Sequence, residues 1–382
     1  MEFRFDVDYS ATNLQMDPST NPTEPNGFND FESKIERDFR SHGVIFRYIS
    51  GDLKLGFKDG SSDYRQLFVD AFAADGLSAS ITLEIYKRRE SHQSWTLVFT
   101  GVAQMETLEL DRDYAFIEFE NNDFISKVTA NFATELDLTK NKDLDGSSLT
   151  ALQTYAVDYQ EPVSASATTY SVTNTLVFDA CDRFILAITG QSDGFWSDFF
   201  ALNGKHGASV DGCGGPTLLM SGEQLLAASG ATFTTSLEEI LTSMQAIFNI
   251  GWSFETEYGG NQRLRVELME DFYKNTEIVD LGAVVEFREE VFEDLVFNRI
   301  NLGYETSGVG VDTTLSVQSV ELHKNFTHSV PVRGVDGVYQ RLSKYVASQV
   351  LFTLGLQERN AGNSNCEFDD RNYVCLGAVI FT

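Results

Sequence analysis

The stretch Ile81–Glu120 reads ITLEIYKRRESHQSWTLVFTGVAQMETLELDRDYAFIEFE and decides the fold class that we expect. Apolar and polar residues alternate over Ile81–Ile85, and the alternation returns at Trp95–Phe99 and after the turn Asp111–Asp113. Such alternation is typical of strands with one buried face, and a spacing of about 8–12 residues is that of a meander. The stretch therefore predicts a small β-barrel or sandwich.

Helical periodicity interrupts the strands. Residues 62–75 (SDYRQLFVDAFAAD) carry apolar side chains at helical spacing, which predicts an amphipathic helix that ends at the following glycine. The segment Ser236–Phe248 (SLEEILTSMQAIF) opens with a capping box, because Glu239 stands three residues after the first serine. Residues 121–138 start with an Asn or Asp cap and predict a third helix. Strands and helices together predict a β-rich α+β fold.

The chain divides into four parts by composition. Residues 1–30 contain the run DPSTNPTEPNG, with three of the six prolines, and predict an N-terminal arm. Residues 31–140 form a β block with helices, residues 141–283 are less regularly patterned, and residues 284–382 are again β-rich. Within the less regular part, the aromatic and β-branched residues over 169–188 predict a strand.

The chain of 382 residues is strongly acidic, with 57 Asp and Glu against 28 Lys and Arg and a net charge of −29. This charge excludes a generic nucleic-acid binder, which needs a basic surface, and it disfavours an anionic membrane as partner. It is compatible with a channel through which DNA slides, with metal loading, or with solubility alone. No apolar run reaches the length of about 18 residues that a membrane span requires, and the N-terminus lacks the pattern of a signal peptide.

Four cysteines in a chain of this length do not make a disulfide scaffold, and we expect synthesis in the cytosol. Cys366 and Cys375 flank a predicted hairpin turn, which leaves open whether they pair. The apolar ending LGAVIFT (Leu376–Thr382) leaves open whether the natural chain continues.

Sequence motifs of the common hydrolases, kinases and nucleotide-binding enzymes do not occur, and we expect no enzyme and no cofactor. Cys213 with the nearby His206 could form a nucleophile pair, but a glycine-rich loop with a buried thiol is the favoured interpretation. The acid pairs Glu289–Glu290 and Asp369–Asp370 could serve a glycosidase, although a solvated acidic surface is far more common. We therefore expect no catalytic residues.

The residues that could bind a metal are few. Asn141, Asp143 and Asp145 resemble the first half of a calcium loop, but Leu152 stands where the loop requires a bidentate Glu. A turn is the favoured interpretation of this segment. None of the five histidines has the spacing of a transition-metal site, so we expect no metal-binding residues.

One aromatic cluster has two possible roles. Phe195, Trp196, Phe199 and Phe200 could bind sugar rings or a partner protein. Their spacing is equally that of a helix face or a strand packed in a core, and the core is the favoured interpretation.

Six segments, taken in order, resemble structural proteins of tailed phages that infect Bacteroidetes. The first contains the turn His42-Gly43-Val44 and a strand with Gly56-Phe57 in altered order. Residues 140–235 match no motif of these proteins, and a lysozyme-like domain is not evident. The six segments are ESKIERDFRSHGVIFRYISGDLKLGFKDG (Glu32–Gly60), LVFTGVAQ (Leu97–Gln104), NNDFISKVTANFATELDL (121–138), SLEEILTSMQAIFNIGWSFE (Ser236–Glu255), LVFNRINLGYE (Leu295–Glu305) and DDRNY (Asp369–Tyr373).

The resemblance extends to the tail-hub family and implies two small β-barrel-like domains separated by an α/β region. These would be residues 31–140 and 284–382, with residues 141–283 between them. The family forms homotrimers with pseudo-sixfold symmetry, so the resemblance implies an oligomeric ring at the tail tip through which DNA passes during ejection. Its partners would be the tube, distal-tail and tip or spike proteins, and it would reside in the virion after assembly in the host cytoplasm.

Three alternatives remain beside the hub. One is a sixfold distal-tail, neck or ring adaptor protein, which differs from the hub in subunit number. Another is a carbohydrate-binding or receptor-binding module with a shallow site at Trp196 or neighbouring aromatics. The least favoured is an acid-pair glycosidase used in cell entry.

Overall fold

The computed structural model describes most of the chain and leaves out several segments. It is a mixed α/β structure with more strand than helix, which confirms the β-rich α+β class. The described residues are 2–28, 33–38, 44–49, 53–60, 62–88, 91–160, 169–202, 211–227, 230–256, 262–272, 298–304, 326–329, 338–345, 359 and 372–376.

The chain forms two compact units. The first comprises Met1–Arg37, Ile45–Ala130 and Thr256–Gln262, and the second comprises Asp38–Val44, Asn131–Glu255 and Arg263–Thr382.

The described residues of the N-terminal part form eight strands and two α-helices. These are β1 (Glu2–Tyr9), β2 (Thr12–Met16), β3 (Ser33–Asp38), β4 (Val44–Ile49), β5 (Leu53–Lys58), α1 (Tyr64–Asp75), β6 (Thr82–Arg88), β7 (Thr96–Leu110), β8 (Tyr114–Asn121) and α2 (Phe124–Ala130). Six of the strands make one curled, half-barrel sheet in the order β2-β1-β6-β7-β8-β5. Every neighbouring pair in it is antiparallel.

The prediction of an N-terminal arm over residues 1–30 is wrong. Strand β1 (EFRFDVDY) alternates in the same way as the meander, and it pairs with β6 on one side and with β2 on the other. Phe5 and Val7 point into the core and are almost fully buried. The prolines that follow β2 favoured the interpretation of residues 1–30 as an arm, although the alternation in β1 is that of a strand.

Residues 17–28, which we call the closing segment, run from the end of β2 to the opposite edge of the sheet. Asn26 and Gly56 exchange two backbone hydrogen bonds of 2.9 and 2.8 Å, so the segment covers the edge of β5. The Phe28 ring packs edge-on against Phe3 and Phe5, with centroid separations of 4.9 and 4.7 Å. The closing segment is therefore an integral part of the first unit.

The predicted helix over residues 62–75 is confirmed as α1, which ends at Gly76 with a φ of +62°. The Tyr64 hydroxyl donates to the Gln15 carbonyl at 2.6 Å and so occupies an acceptor on the outer edge of β2. The helix covers a sheet core that is rich in buried phenylalanines, among them Phe5, Phe57, Phe68, Phe99 and Phe119.

The meander is confirmed with one difference. The strand predicted at Trp95–Phe99 continues to Leu110 as the single strand β7, whose register with β8 shifts between Gln104 and Glu109. Thr107 bridges this irregularity, since its hydroxyl donates to the Gln104 carbonyl and accepts the Glu118 amide at 2.9 Å.

The remainder of the described chain contains twelve strands and four α-helices. These are β9 (Glu135–Asp137), β10 (Tyr155–Gln160), β11 (Thr169–Leu176), α3 (Val177–Thr189), β12 (Phe195–Trp196), β13 (Thr217–Ser221), α4 (Gly222–Leu226), β14 (Thr234–Ser236), α5 (Leu237–Phe248), β15 (Ile250–Thr256), β16 (Gln262–Leu268), α6 (Met269–Phe272), β17 (Arg299–Tyr304), β18 (Phe326–Ser329), β19 (Val338–Ser343) and β20 (Asn372–Leu376). They form small sheets in the orders β10-β11-β13-β20, β12-β16-β15, β18-β17-β19 and β14-β9.

Two local predictions need correction here. The strand expected over residues 169–188 is β11 followed directly by helix α3, because the apolar residues after Leu176 recur at helical spacing and are buried. The helix expected over residues 121–138 is limited to α2, since strand β9 occupies its last part. The capping serine of α5 is confirmed, because the Ser236 hydroxyl accepts the Glu239 amide at 3.1 Å.

The predicted second β block, residues 284–382, falls largely outside the described residues. Within it, β17 pairs antiparallel with β18 and parallel with β19. Strand β20 pairs antiparallel with β13, which belongs to the predicted intervening region. Among the helices that the structure describes, none combines the length and the apolar character needed to cross a membrane.

Candidate functional site

A cavity of about 260 Å³ lies in the second unit, between β11, α4 and the loop that follows β9. Its base is formed by the buried residues Leu138, Thr175 and Phe233. Its mouth is formed by residues that are exposed to solvent: Thr139, Asn141, Thr154 and Thr173. Leu152 and Gln224 are the other described residues of the lining. Among the residues that the structure describes, the walls carry hydroxyls and carboxamides over an apolar floor and no charged side chain.

Hydrogen bonds to the backbone fix both carboxamides of the cavity. The Gln224 oxygen accepts the Ser221 amide at 3.0 Å, while the Ser221 hydroxyl caps α4 by accepting the Gln224 amide at 3.2 Å. The Asn141 oxygen accepts the Leu152 amide at 3.0 Å. Because each oxygen is engaged in this way, each carboxamide has its NH₂ group left to donate.

The segment that resembles half of a calcium loop is a turn, as favoured from the sequence. The Asp143 carboxylate accepts the Ser147 amide at 2.7 Å, and the backbones of Asp143 and Ser147 are also hydrogen bonded. The Asn141 side chain faces its own loop instead of a metal position. Within the described residues, no three metal-binding side chains come together.

Asp137 lies beside the cavity, and several donors surround its carboxylate. Burial alone would raise the pKa of its carboxyl group, but hydrogen bonds from Thr139, from Lys140 and from the Phe233 amide outweigh this and hold the pKa below its usual value. The Lys140 ammonium stands 3.1 Å from the carboxylate. The negative charge of Asp137 is thus neutralised outside the lining.

Trp196 lies on a charged face of the sheet β12-β16-β15. The Arg263 guanidinium stacks over its ring at 4.3 Å from the centroid. Glu255 pairs with Arg263 at 3.5 Å and with Arg265 at 2.9 Å. One face of the indole is therefore covered by a guanidinium, which removes it as a stacking surface for a sugar ring.

Glu267 ends the same row of side chains and is only 3% exposed. Its two carboxylate oxygens accept the Asp198 amide at 2.7 Å and the Phe199 amide at 3.0 Å. Burial raises the pKa of this carboxyl group, while the two amide bonds oppose the rise. The carboxylate holds the aromatic loop after β12 to strand β16.

The favoured core interpretation of the aromatic cluster is confirmed for Phe195 and Phe200, which are fully buried. Phe195 packs against Phe178 with ring centroids 5.1 Å apart, and Phe199 packs against Phe248 at 5.5 Å. Phe199 and Trp196 are only partly buried.

The glycine-rich loop is also confirmed, with one correction. The Gly212 and Gly214 amides donate to the Ala201 and Phe199 carbonyls at 2.8 and 2.9 Å, so the loop packs closely against the aromatic segment. Cys213 is exposed, whereas the sequence predicted a buried thiol. Side chains project outwards at this point because the backbone itself makes the contact.

The other residues considered as candidate sites lie outside the described part of the chain. These are His206, Cys366 and the acid pairs Glu289–Glu290 and Asp369–Asp370. The cavity was missed because the lining residues that the structure describes include no titratable group and follow no motif. Only the mixture of threonines with Asn141 and Gln224 could have indicated it.

No protein-family model matches the chain, and no curated protein and no solved structure shows significant similarity to it. The function must therefore be argued from the residues themselves.

Proposed function

We propose that the protein is a structural subunit of a phage tail, a hub component that forms an oligomeric ring at the tail tip. The observation that carries this proposal is the half-barrel sheet of the first unit. Four of its six strands, β5 to β8, lie within residues 31–140, where the resemblance to tail hubs implies the first of two β-barrel-like domains. The second domain of the proposal, residues 284–382, rests on the resemblance alone.

The edge strands of the half-barrel sheet determine whether subunits could associate by pairing strands. The closing segment covers β5 at Gly56, and Tyr64 takes the Gln15 carbonyl on the outer edge of β2. Covered edges resist pairing with strands of other chains. Contacts between subunits through this unit are therefore expected to involve side chains and loops more than added strands.

The charge of the chain supports a passage for DNA. Three chains of −29 would carry −87. An acidic lumen repels the phosphate backbone, so a genome would slide through without binding. Neither this role nor the expectation of a non-enzymatic protein requires a cofactor.

The decisive experiment is the absolute mass by light scattering over a concentration series at low and high salt. Three chains of 42.6 kDa give about 128 kDa, the result expected for a trimeric hub. Association should rise with salt, because salt screens the repulsion between acidic subunits. Negative-stain images of the same sample should show a threefold ring with a central opening.

Other masses would point to the alternatives. Six chains give about 256 kDa, which favours a ring adaptor, neck or distal-tail protein over the hub. A monomer at every concentration and salt contradicts self-assembly and favours a binding module. The stacking of Arg263 on Trp196 argues against placing the site of such a module on that ring.

A further inference from the structure

We propose that the cavity between β11, α4 and the loop after β9 binds one neutral, polyhydroxylated ring, that is, a single monosaccharide unit. The proposal rests on the geometry of the cavity and does not depend on the ring assembly. It assigns a binding site away from Trp196, where the sequence had suggested sugar recognition.

The size of the cavity limits the ligand. A volume of about 260 Å³ is below the range of roughly 300–1,000 Å³ that holds drug-sized ligands. At about 30 Å³ of liquid per water molecule, it accommodates about nine waters in the free protein. This is room for one sugar ring and no more.

The polar groups of the cavity match a polyol. Thr175 lines the cavity, is only 2% exposed and contributes a hydroxyl to the lining. The NH₂ groups of Asn141 and Gln224 are left as donors, because their oxygens are held by backbone amides. Sugar hydroxyls both donate and accept, so one ligand can satisfy all three groups.

The apolar floor and the charge determine the rest of the preference. Leu138 and Phe233 offer a surface on which the C–H face of a sugar ring can pack. The described lining residues include no cation to pair with an anionic ligand, and the net charge of −29 repels one. They include no carboxylate to bind a cationic ligand either, since Asp137 is not among them. A neutral sugar is what remains.

The test is saturation-transfer NMR of the full chain with glucose, galactose, mannose, N-acetylglucosamine, fucose and rhamnose at millimolar concentrations. At least one of these sugars should bind saturably. Thr175→Val keeps the shape of the side chain but removes the hydroxyl, and it should weaken that binding about tenfold. Thr169→Val changes an exposed threonine of the same strand away from the cavity and should leave the affinity unchanged.

A second variant guards against misfolding of the first. Asn141→Asp, on an exposed loop, keeps an oxygen for the Leu152 amide and replaces the NH₂ donor, so it should also weaken binding. The same sugars displayed as terminal residues of immobilised glycans form the other arm. Tighter binding there identifies a surface glycan as the source, and equal binding identifies a free sugar. The absence of binding in both arms, or binding that neither variant weakens, overturns the proposal.

Discussion

The two units of the molecule are stabilised in different ways. The first unit is one large sheet around an apolar core that includes Phe57 and Phe119. The second unit consists of several small sheets and the helices α3 and α5, which also bury apolar side chains such as Phe184 and Ile240. Of the buried polar side chains in the described part of the chain, only Asp6 belongs to the first unit. An apolar core therefore stabilises both units, and buried hydrogen bonds are added mainly in the second.

The largest effect is expected from breaking the core of the first unit at its closing segment. Phe28→Ala removes a ring that is 7% exposed and packs on Phe3 and Phe5. Loss of a buried phenylalanine costs about 3–5 kcal/mol of unfolding free energy. Denaturant unfolding followed by Trp95 fluorescence, in a protein in which Trp196 and Trp252 are replaced by phenylalanine, measures this loss in the first unit.

Phe72→Ala is the matched control, because Phe72 is 44% exposed on α1 and its loss should cost less than about 1 kcal/mol. Equal effects of the two variants would mean that the closing segment contributes nothing, as expected of a flexible arm. Rapid proteolysis of the intact protein within residues 17–28 would have the same meaning.

In the second unit, the corresponding test is a polar contact. Glu267→Gln turns an NH₂ group towards one of the two backbone amides that the carboxylate accepts. One amide is then left unsatisfied in a buried site, which costs about 1–3 kcal/mol. Glu255→Gln should cost less than about 1 kcal/mol, because Glu255 is 32% exposed and its ion pairs are solvated. An equal loss of unfolding free energy in both variants would show that the burial of Glu267 does not increase its contribution to stability.

These two units also differ in how much the sequence reveals. The alternation of apolar and polar residues predicted the strands β6 to β8. The helical spacing of apolar residues predicted α1, and the glycine that follows it predicted its end. Both predictions were possible because an apolar face leaves a local pattern in the sequence. The same alternation is present in β1, but the prolines of the closing segment favoured the interpretation of residues 1–30 as an arm. The bonds of Glu267 to Asp198 and of Thr235 to Tyr345 join residues 69 and 110 positions apart. No local period can indicate such pairs, and the cavity was missed for the same reason.

The titration of Glu267 should make the stability of the second unit depend on pH. Burial raises the pKa of this carboxyl group in the folded protein above its ordinary value of 4.5. The folded chain then binds more protons than the unfolded chain between the two pKa values, so stability falls as the pH rises through that window. Glu267→Gln lacks this titration. The stability of the natural protein relative to the variant should therefore shrink as the pH rises from below 4.5.

The opposite trend in this difference would have a clear meaning. An advantage of the natural protein that grows with pH would show that the two amides favour the anion by more than burial disfavours it. Measuring unfolding free energies of both proteins across the same buffers cancels the titration of the other acidic groups.

The smallest effects are expected where the two units are alike. Arg88 stacks on Trp95 at 4.2 Å in the first unit, as Arg263 stacks on Trp196 at 4.3 Å in the second. Both arginines are about one fifth exposed and both pair with a glutamate. Arg88→Met and Arg263→Met keep an unbranched aliphatic stem and remove the guanidinium group with its charge. Each should cost about 1 kcal/mol, less at high salt, because cation–π and surface ion pairs are weak in water.

Equal losses of unfolding free energy in these two variants would show that the two arginines contribute alike in the two units. The difference between the units would then come from their buried groups, which the variants of Phe28 and Glu267 test. A loss above about 2 kcal/mol for Arg263→Met alone would exceed what a solvated pair contributes. It would mean that the row from Trp196 to Glu267 acts as one network, in which Arg263 and Arg265 position the buried carboxylate through Glu255. A double variant with Glu267→Gln separates the two cases, since independent contacts give additive losses and a shared network does not.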